Sequence, residues 1–336
     1  MQIVALQSSN ETQKALASFL EQWKDSKSYI IQKTSGSTGV PKEIRIEKEL
    51  MMASARTTNN FFKISSYSSL LLCISPDFIG GKMMIVRAII AKATLFVSDI
   101  SSNPIQHLTE TIDLGAMVPL QAEKVYSHPN FHKIKNLIIG GAPVSDELEK
   151  SIAQTKVRAY SSFGMTETVS HIALKILNSS NAPFSCLPPT SVSTNSDHQL
   201  VINAPHLSLT ELVTNDVVEL IDNCNFYWKG RSDFTINSGG IKFQPEEIEK
   251  KLVTLFPNQH FLISSLKDHS LGEKIVLCVE GKIVSLQAIK NGISEILGKY
   301  EQPKAIYSLP SFSYTANGKL DRIKTKDRIS FEGNLQ

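Results

Sequence analysis

Between residues 70 and 160, short apolar runs that suit buried strands alternate with segments whose apolar residues recur at helical spacing. The predicted elements, in chain order, are a strand at 70–75, a helix at 80–92, a strand at 93–98, a helix near 104–112, a strand at 115–118, a helix at 119–126, a strand at 136–140, a helix from about Ser145 and a strand at 156–160. Such alternation implies right-handed crossovers. It predicts an α/β fold with helices on the faces of a mainly parallel sheet, and ligands beyond the strand carboxyl ends.

The pattern changes after about residue 175. Residues 178–198 are rich in Asn, Ser and Pro and predict a loop, after which short strands continue to Trp228. A helix is then predicted to begin at Pro245, where Pro suits the first helical turn. A strand at 274–280 and a helix near 285–297 complete a smaller α+β unit.

The length of 336 residues fits two domains at about 150 residues each, and 41% hydrophobic residues can fill their cores. We predict a large N-terminal domain at 1–230 and a small, mobile C-terminal domain at 231–336, with a hinge near Asp233. The 35 basic and 32 acidic residues give a net charge of +3 without long runs of one sign. This balance predicts no nucleic-acid partner and leaves a small anionic substrate possible.

The four cysteines lie far apart without a CxxC pair, which argues against a zinc knuckle or a disulfide framework and suits a reducing compartment. We expect them in the core. The N-terminus lacks the basic start and apolar centre of a signal peptide, and the most apolar helical segment, 82–92, is far shorter than a bilayer span. We expect a soluble, cytoplasmic protein without a membrane partner; its oligomeric state is left open.

The segment TSGSTGVPKEI at 34–44 combines two glycines and four hydroxyl side chains with a lysine. Such a loop can turn several N–H and O–H groups toward one phosphate. It is not a Walker loop, because Val40 and Pro41 separate Gly39 from Lys42. Taken alone, a loop of this kind is more often a solvated connection, so the rest of the chain must decide.

Six later segments join this loop in resembling the motifs of the adenylate-forming enzymes, the family of acyl-CoA and aryl-CoA synthetases, peptide-synthetase adenylation domains and luciferases. They are, in chain order, GGAP at 140–143, FGMTE at 163–167, TND at 214–216, GRSD at 230–233, SGGIKFQPEEIE at 238–249 and ANGKLDR at 316–322. Phe163 stands where the family usually has tyrosine, and Asn215 where it has glycine. Seven matches in the family's order make the resemblance specific.

The resemblance implies ATP, Mg²⁺ and coenzyme A as ligands. The residues that would contact the phosphates are Thr34, Ser35, Gly36, Ser37, Thr38, Gly39 and Lys42, together with Thr166. The remaining nucleotide residues would be Gly140, Gly141, Ala142, Pro143, Phe163 and Gly164, with Asp216 and Arg231 at the ribose. Glu167 would bind the magnesium ion.

By the same resemblance, Lys319 contacts the substrate carboxylate and the α-phosphate, Asp233 is the hinge, and Gly239 and Gly240 border the coenzyme A tunnel. From the residues alone, Lys319 could instead be the tip of an Asn-Gly hairpin. Only 33 residues precede Thr34, so we expect the family's N-terminal subdomain to be shortened here.

Within the family, AMVPLQAEKVY at 116–126 and GMTETVSHIALK at 164–175 most resemble o-succinylbenzoate–CoA ligases of menaquinone biosynthesis. Two differences are notable: Leu120 replaces the threonine of the usual VPTQ, and PDFIGG at 76–81 lacks the histidine of the family's PxxH.

o-Succinylbenzoate has two carboxylates, so the pocket must hold the aromatic one with a donor. Arg87 is our candidate for that donor, and Lys82, Ser170 and His171 are alternatives. Arg87 could instead form a surface or interdomain ion pair, and His171 could be a packed core histidine. Other readings stay open: ligation of another aryl or acyl acid, loading of a carrier protein, or a nucleotide-binding protein without turnover.

Overall fold

The computed structural model describes residues 1–6, 8–33, 43–179, 181–257, 259–314, 320–332 and 334–335. Its strands are β1 (Gln2–Leu6), β2 (Tyr29–Lys33), β3 (Glu43–Glu47), β4 (Ser69–Leu72), β5 (Thr94–Ser98), β6 (Ile112–Met117), β7 (Ile134–Ile139), β8 (Arg158–Gly164), β9 (His171–Ile176), β10 (Phe184–Cys186), β11 (Ser191–Thr194), β12 (Gln199–Ala204), β13 (Leu209–Leu220), β14 (Asn225–Arg231), β15 (Ile236–Ser238), β16 (Ile241–Phe243), β17 (Phe261–Asp268), β18 (Gly272–Glu280), β19 (Ala305–Leu309) and β20 (Asn334–Leu335). Its helices are α1 (Asn10–Lys24), α2 (Lys48–Phe62), α3 (Ile79–Ala91), α4 (Pro119–Val125), α5 (Asp146–Ala153), α6 (Pro245–Leu252), α7 (Leu286–Ile296) and α8 (Arg322–Glu332).

A twelve-stranded sheet, counted over the described residues, organises the larger part of the chain. Strands β1, β5, β4, β6, β7 and β8 are adjacent in that order and run parallel. Strands β9, β10, β14, β13, β12 and β11 continue the sheet in antiparallel pairs. The predicted α/β class is confirmed, and the sheet as a whole is mixed because hairpin-like connections replace crossover helices after β8.

Helices cover both faces of the parallel half. Along β4 and the residue after it, Leu70 and Leu72 enter one core while Leu71 and Cys73 enter the other, as the strand period of two requires. The first core receives side chains from α1, α2 and α3, and the second from α4 and α5. Strands buried on both faces have to be continuously apolar, which explains the runs seen in the sequence.

The predicted helix near 104–112 is wrong. Residues 104–107 form a turn, and β6 already begins at Ile112. Side chains from another part of the chain take up the backbone carbonyls of this segment: the Asn130 amide donates to the Ile105 carbonyl at 2.9 Å, and Lys133 donates to the Leu108 carbonyl at 2.9 Å. These bonds satisfy the backbone without a helix.

The predicted loop at 178–198 contains two short strands. β10 lies between β9 and β14, and β11 pairs with β12 at the edge of the sheet. Both have only three or four residues, which is too short for a clear alternating pattern. One partner of β10, the strand β14, also lies far along the chain, whereas β11 pairs with β12 directly after it. Cys73, Cys186 and Cys278 are buried, as predicted, and Cys224 is half-buried.

A smaller sheet follows, with strand order β16, β15, β18, β19, β20 and with β17 also paired to β18. Its core includes Ile248 and Leu252 of α6 and Ile289 and Ile293 of α7. Among the described residues, no helix has both the length and the apolarity that crossing a bilayer requires.

The two sheets meet between β14 and α6. Lys229 on β14 pairs with Glu247 on α6 at 3.2 Å and with Glu219 on β13 at 2.7 Å. A Cβ at Gly230 would lie 2.5 Å from Glu246 Oε2, so the lack of a side chain at position 230 allows β14 and α6 to pack this closely. We keep the division into 1–230 and 231–336 as a proposal.

The Glu246 carboxyl lies inside this junction. Its Oε2 is buried without a hydrogen-bond partner in the described part of the chain. Burial raises the pKa of Glu246 to about 7, and the neighbouring Glu249 adds to the shift while Arg322 opposes it. The folded protein therefore favours the neutral acid.

We expect Glu246→Gln to remove a pH dependence of stability. Because the pKa rises on folding, the stabilisation from neutral Glu246 is complete below its ordinary value of 4.5 and is lost as pH rises through about 7. Urea midpoints measured from pH 4.5 to 7.5 should show the variant gaining on the wild type as pH rises. Glu247→Gln, an exposed neighbour, should show no such gain, and a pH-independent difference for Glu246→Gln would contradict the assignment.

Candidate active site

The loops after β7 and β8 lie side by side, because these strands are parallel neighbours. Gly140 N donates to the Met117 carbonyl at 3.1 Å, and a Cβ on Gly140 would lie 2.2 Å from Ser162 Oγ on β8. Ala142 and Pro143 are exposed beyond Gly141, which has a φ of +90°. The loop predicted to border the nucleotide thus lies at the carboxyl edge of the sheet, where ligands of such folds bind.

The segment from Phe163 to Ser170 turns the chain from β8 into β9. Phe163 packs against Phe184 and Phe226, with ring centroids 5.7 and 5.2 Å away. A Cβ on Gly164 would lie 2.3 Å from the Ser170 carbonyl oxygen. The two strands can therefore approach this closely only with glycine at this position.

Thr168 holds the turn together from inside. Its buried hydroxyl accepts from the Met165 amide at 2.9 Å and lies 2.7 Å from the Ser170 carbonyl oxygen. Val169, also buried, has a φ of +66°, a conformation that β-branched residues rarely adopt. Such strain costs about 1–3 kcal/mol and is characteristic of functional sites.

The turn presents Thr166, half-buried, and Glu167, exposed. The Glu167 carboxylate has no ion pair within the described ranges. A carboxylate and a hydroxyl are hard oxygen donors of the kind that Mg²⁺ binds together with substrate phosphates. The two residues fit the predicted magnesium site.

A buried polar cluster lies behind the turn, formed by Arg87, Ser170, His171, Thr58 and Asn59. Arg87 is 2% exposed, and its Nη2 donates to Ser170 Oγ at 3.1 Å. The Asn59 amide donates to the Arg87 backbone carbonyl at 3.0 Å. Arg87 Nε and Asn59 Oδ1 are buried without hydrogen-bond partners in the described residues.

Arg87 remains the cation of this cluster. Burial lowers the pKa of its guanidinium to about 10, which still leaves it charged at neutral pH. Burial, and secondarily the charge of Arg87, holds the pKa of His171 well below its ordinary value. Three of the four candidates for the acid pocket, Arg87, Ser170 and His171, are thus brought together.

Thr58 fixes the tautomer of His171. Thr58 Oγ1 donates its one hydrogen to the Ser54 carbonyl at 3.2 Å, a typical helix bond, and lies 3.1 Å from His171 Nε2. With that hydrogen used, Thr58 accepts from an Nε2–H group. Nε2 of His171 therefore carries a hydrogen, and because the pKa of the ring is lowered, the ring is neutral with its lone pair on Nδ1.

Lys82 lies apart from this cluster. Its ammonium donates to Gln32 Oε1 at 2.8 Å and to the Asp77 carbonyl at 3.2 Å. Burial lowers the pKa of Lys82, and the charge of Asp77 opposes the shift. Gln32 lies on β2, two residues before Thr34, so Lys82 contacts the strand that precedes the predicted phosphate loop.

Asp216 lies on β13, buried to 7% exposure. Trp228 Nε1 donates to its Oδ1 at 2.9 Å. Burial raises the pKa of Asp216, against the Trp228 hydrogen bond and the charge of Arg231. Arg231 is its register partner on β14 and pairs with Asp233 at 2.6 Å. The predicted ribose residues and the predicted hinge are thus adjacent.

Gly239 and Gly240 connect β15 to β16, with φ of +61° and +82°. Both are exposed, and positive φ at two central residues is typical of a tight hairpin. A glycine turn at this position was expected from the sequence.

Two predicted elements lie outside the described residues: the phosphate loop from Thr34 to Lys42, and Lys319. Their flanking residues are described. Lys33 pairs with Glu43 at the end of the β2–β3 hairpin, and Tyr314 pairs with Leu320. Their assigned roles remain predictions.

The sequence reasoning missed Thr58, Asn59, Thr168 and Trp228. Thr58 and Asn59 belong to the run TTNN at 57–60, in which two polar side chains are buried in a helix. The available signal was the helical spacing of Thr58 with Met51, Ala55 and Phe62, which places a polar side chain on an apolar helix face.

We expect Gly164→Ala to destabilise the fold by about 2–3 kcal/mol, because its methyl group meets backbone that cannot move independently. Gly115→Ala is the matched control: its Cβ would meet the nearest side chains at an ordinary 3.6 Å. It should change stability by less than about 1 kcal/mol. Urea unfolding of both variants measures the difference, and equal stabilities would show that β8 and β9 can separate freely.

Comparison with known proteins extends these observations. Residues 3–194 match the family described as AMP-binding enzyme. The 2-succinylbenzoate–CoA ligase of Salmonella typhimurium is 22% identical over 319 residues, covering 90% of this chain and 69% of its own length. An acyl-CoA synthetase (AMP-forming)/AMP-acid ligase II-like protein from Dyadobacter fermentans is 30% identical, with a TM-score of 0.63 and 95% of both chains covered.

The O-succinylbenzoate coenzyme A synthetase of Bacillus subtilis, solved with ATP and a magnesium ion, has the same fold. Its TM-score is 0.77 at 21% identity, with 88% of this chain and 69% of that chain covered. Because the family match spans more than half of the sequence, the chain belongs to the AMP-binding enzyme family.

Proposed function

We propose that this protein is an AMP-forming acid–CoA ligase that activates o-succinylbenzoate with ATP and transfers the acyl group to coenzyme A, a step of menaquinone biosynthesis. The names of the Salmonella and Bacillus relatives support this substrate. The observation that carries the proposal is the buried Arg87, whose guanidinium forms no ion pair with a described carboxylate. A buried cation without a protein counter-ion suits a substrate that brings a second carboxylate.

In the first half of the proposed reaction, the succinyl carboxylate attacks the α-phosphorus of ATP and pyrophosphate leaves. Two anions meet in this step, so the site has to neutralise charge in the in-line transition state. The hydroxyls and amides of the phosphate loop would hold the phosphates, Lys42 the β- and γ-phosphates, and Lys319 the α-phosphate and the attacking carboxylate. Mg²⁺, when bound by Glu167 with Thr166 nearby, would neutralise phosphate charge.

Asp216 would orient the nucleotide. An ionised carboxylate can accept hydrogen bonds from both ribose hydroxyls. Its raised pKa is a consequence of burial, and two hydroxyl donors would favour the ionised form. Arg231, its strand neighbour, would reach the same region.

In the second half, the thiol of coenzyme A displaces AMP. A backbone rotation at Asp233 would move Lys319 away and bring Gly239 and Gly240 to the thiol tunnel. The exposure of this glycine turn is compatible with close approach of a ligand chain.

The substrate is tested by acid-dependent ATP–pyrophosphate exchange across o-succinylbenzoate, benzoates and fatty acids. The matched control is 4-oxo-4-phenylbutyrate, which lacks only the aromatic carboxylate. We expect kcat/KM to fall about 10- to 100-fold without it, the worth of one charged hydrogen bond. In Arg87→Met this discrimination should disappear.

Preference for another acid would favour a different acyl- or aryl-CoA synthetase. Acid-dependent AMP release that does not respond to coenzyme A would favour carrier-protein loading. No exchange with any acid would favour a nucleotide-binding protein without turnover.

We expect Lys319→Ala to abolish adenylation while sparing thioester formation from supplied acyl-adenylate, because the lysine serves only the first half-reaction. The control is Lys324→Ala, a 61% exposed lysine in the same region, which should affect neither. Equal loss of both half-reactions in Lys319→Ala, measured separately by pyrophosphate exchange and thioester formation, would refute this division of labour.

A further inference from the structure

Arg87 is buried too deeply to meet a ligand directly. Its side chain is 2% exposed, and its Nε is sealed from solvent. The hydrogen bond that the structure gives to its guanidinium, within the described residues, is the one from Nη2 to Ser170 Oγ. Ser170 is half-buried, so it stands between the guanidinium and the surface.

Ser170 is held firmly in this position. Its amide donates to the Thr168 carbonyl at 2.7 Å, and its carbonyl oxygen lies 2.7 Å from the Thr168 hydroxyl. The strained Val169 precedes it, and the close approach of Gly164 blocks its backbone from the other side. These contacts fix the backbone of Ser170, and the hydrogen bond with Arg87 sets the orientation of its hydroxyl.

The direction of the bond follows from chemistry. A guanidinium can only donate, so Ser170 Oγ is the acceptor. A serine hydroxyl has one hydrogen, which therefore remains available for another acceptor. Hydrogen bonds in a chain polarise one another, so the guanidinium makes this hydroxyl a stronger donor.

We propose that Ser170 is the residue that contacts the aromatic carboxylate of the acid substrate, the one that does not react. Arg87 is then a positioning residue that acts through the Ser170 hydroxyl. His171 does not compete with this arrangement, because Nε2 of its imidazole is engaged with Thr58 Oγ1. The hydrogen bond from Arg87 to Ser170 is given by the structure. That the Ser170 hydroxyl in turn donates to a substrate carboxylate rests on the proposed function.

A thiol introduced by Ser170→Cys tests the contact between the side chains at positions 87 and 170 in the absence of substrate. All variants of this experiment also carry Cys224→Ser, because Cys224 is half-buried, whereas the other native cysteines, Cys73, Cys186 and Cys278, are buried. The pH dependence of iodoacetamide alkylation should give the thiol a pKa below about 7.5, compared with about 8.5 for a free cysteine. Adding Arg87→Met should return the pKa to about 8.5 or above.

Ser162→Cys, half-buried on β8, is the matched control and should not respond to Arg87→Met. Arg87→Lys, which keeps the charge, is used if Arg87→Met does not fold, and should leave the thiol pKa below 8.5. A thiol at position 170 that resists alkylation, or whose pKa is the same with and without the charge at position 87, overturns the proposal.

The kinetic counterpart is a double-mutant cycle on KM for the acid. If Arg87 acts through Ser170, Arg87→Met added to Ser170→Ala should change KM less than twofold, although each alone raises it about tenfold or more. KM for ATP should stay near the wild-type value, and Ser170→Thr should restore most of the acid affinity. Multiplied effects would mean that Arg87 contacts the acid itself. Should o-succinylbenzoate not be a substrate, the proposed function fails while the thiol experiment still decides the relay.

Discussion

The close approach of Gly164 to the backbone of Ser170 and His171 is the contact on which the site depends. It lies where the sheet changes from parallel to antiparallel, between β8 and β9. On one side of it, a parallel strand brings Phe163 and the polar turn to the carboxyl edge of the sheet. On the other side, β9 carries His171 back beneath that turn toward α2 and α3. A larger residue at position 164 would separate the two halves of the site.

The polar cluster behind this contact is costly for folding. A buried guanidinium and a buried imidazole lose hydration, and two of the cluster's polar atoms find no partner in the described residues. Charge repulsion is avoided because the imidazole stays neutral. Such an arrangement is difficult to explain as a means of stabilising the core, and it is understandable where a ligand supplies the missing charge.

How much the sequence could predict varied with the range of the interactions. The runs 70–75 and 136–140 identified β4 and β7, because strands buried on both faces must be apolar. The helix predicted near 104–112 is wrong because the side chains of Asn130 and Lys133, distant in sequence, donate hydrogen bonds to backbone carbonyls of this segment. In the site, motif order located the loops at 140–143 and 163–167, and their backbone follows the sheet edge as expected. The role of Thr58 could not be predicted, because it depends on a tertiary contact with His171 that a single sequence does not contain. Thr168 bonds within its own turn, to Met165 and Ser170, so its role depends on the local backbone conformation. The phosphate loop and Lys319 rest on the motifs alone.

The hydrogen bond from Trp228 to Asp216 also gives the protein an optical property. The chain contains two tryptophans, and the other, Trp23, packs beside Phe19 on α1. Indole emission depends on the polarity and hydrogen bonding around the ring. Since Trp228 donates directly to the carboxylate that is proposed to bind the ribose, its fluorescence would respond to a nucleotide bound there. Under the proposed function, Trp228 would thus be an intrinsic reporter of nucleotide binding, and replacement of Trp23 by phenylalanine would isolate its signal.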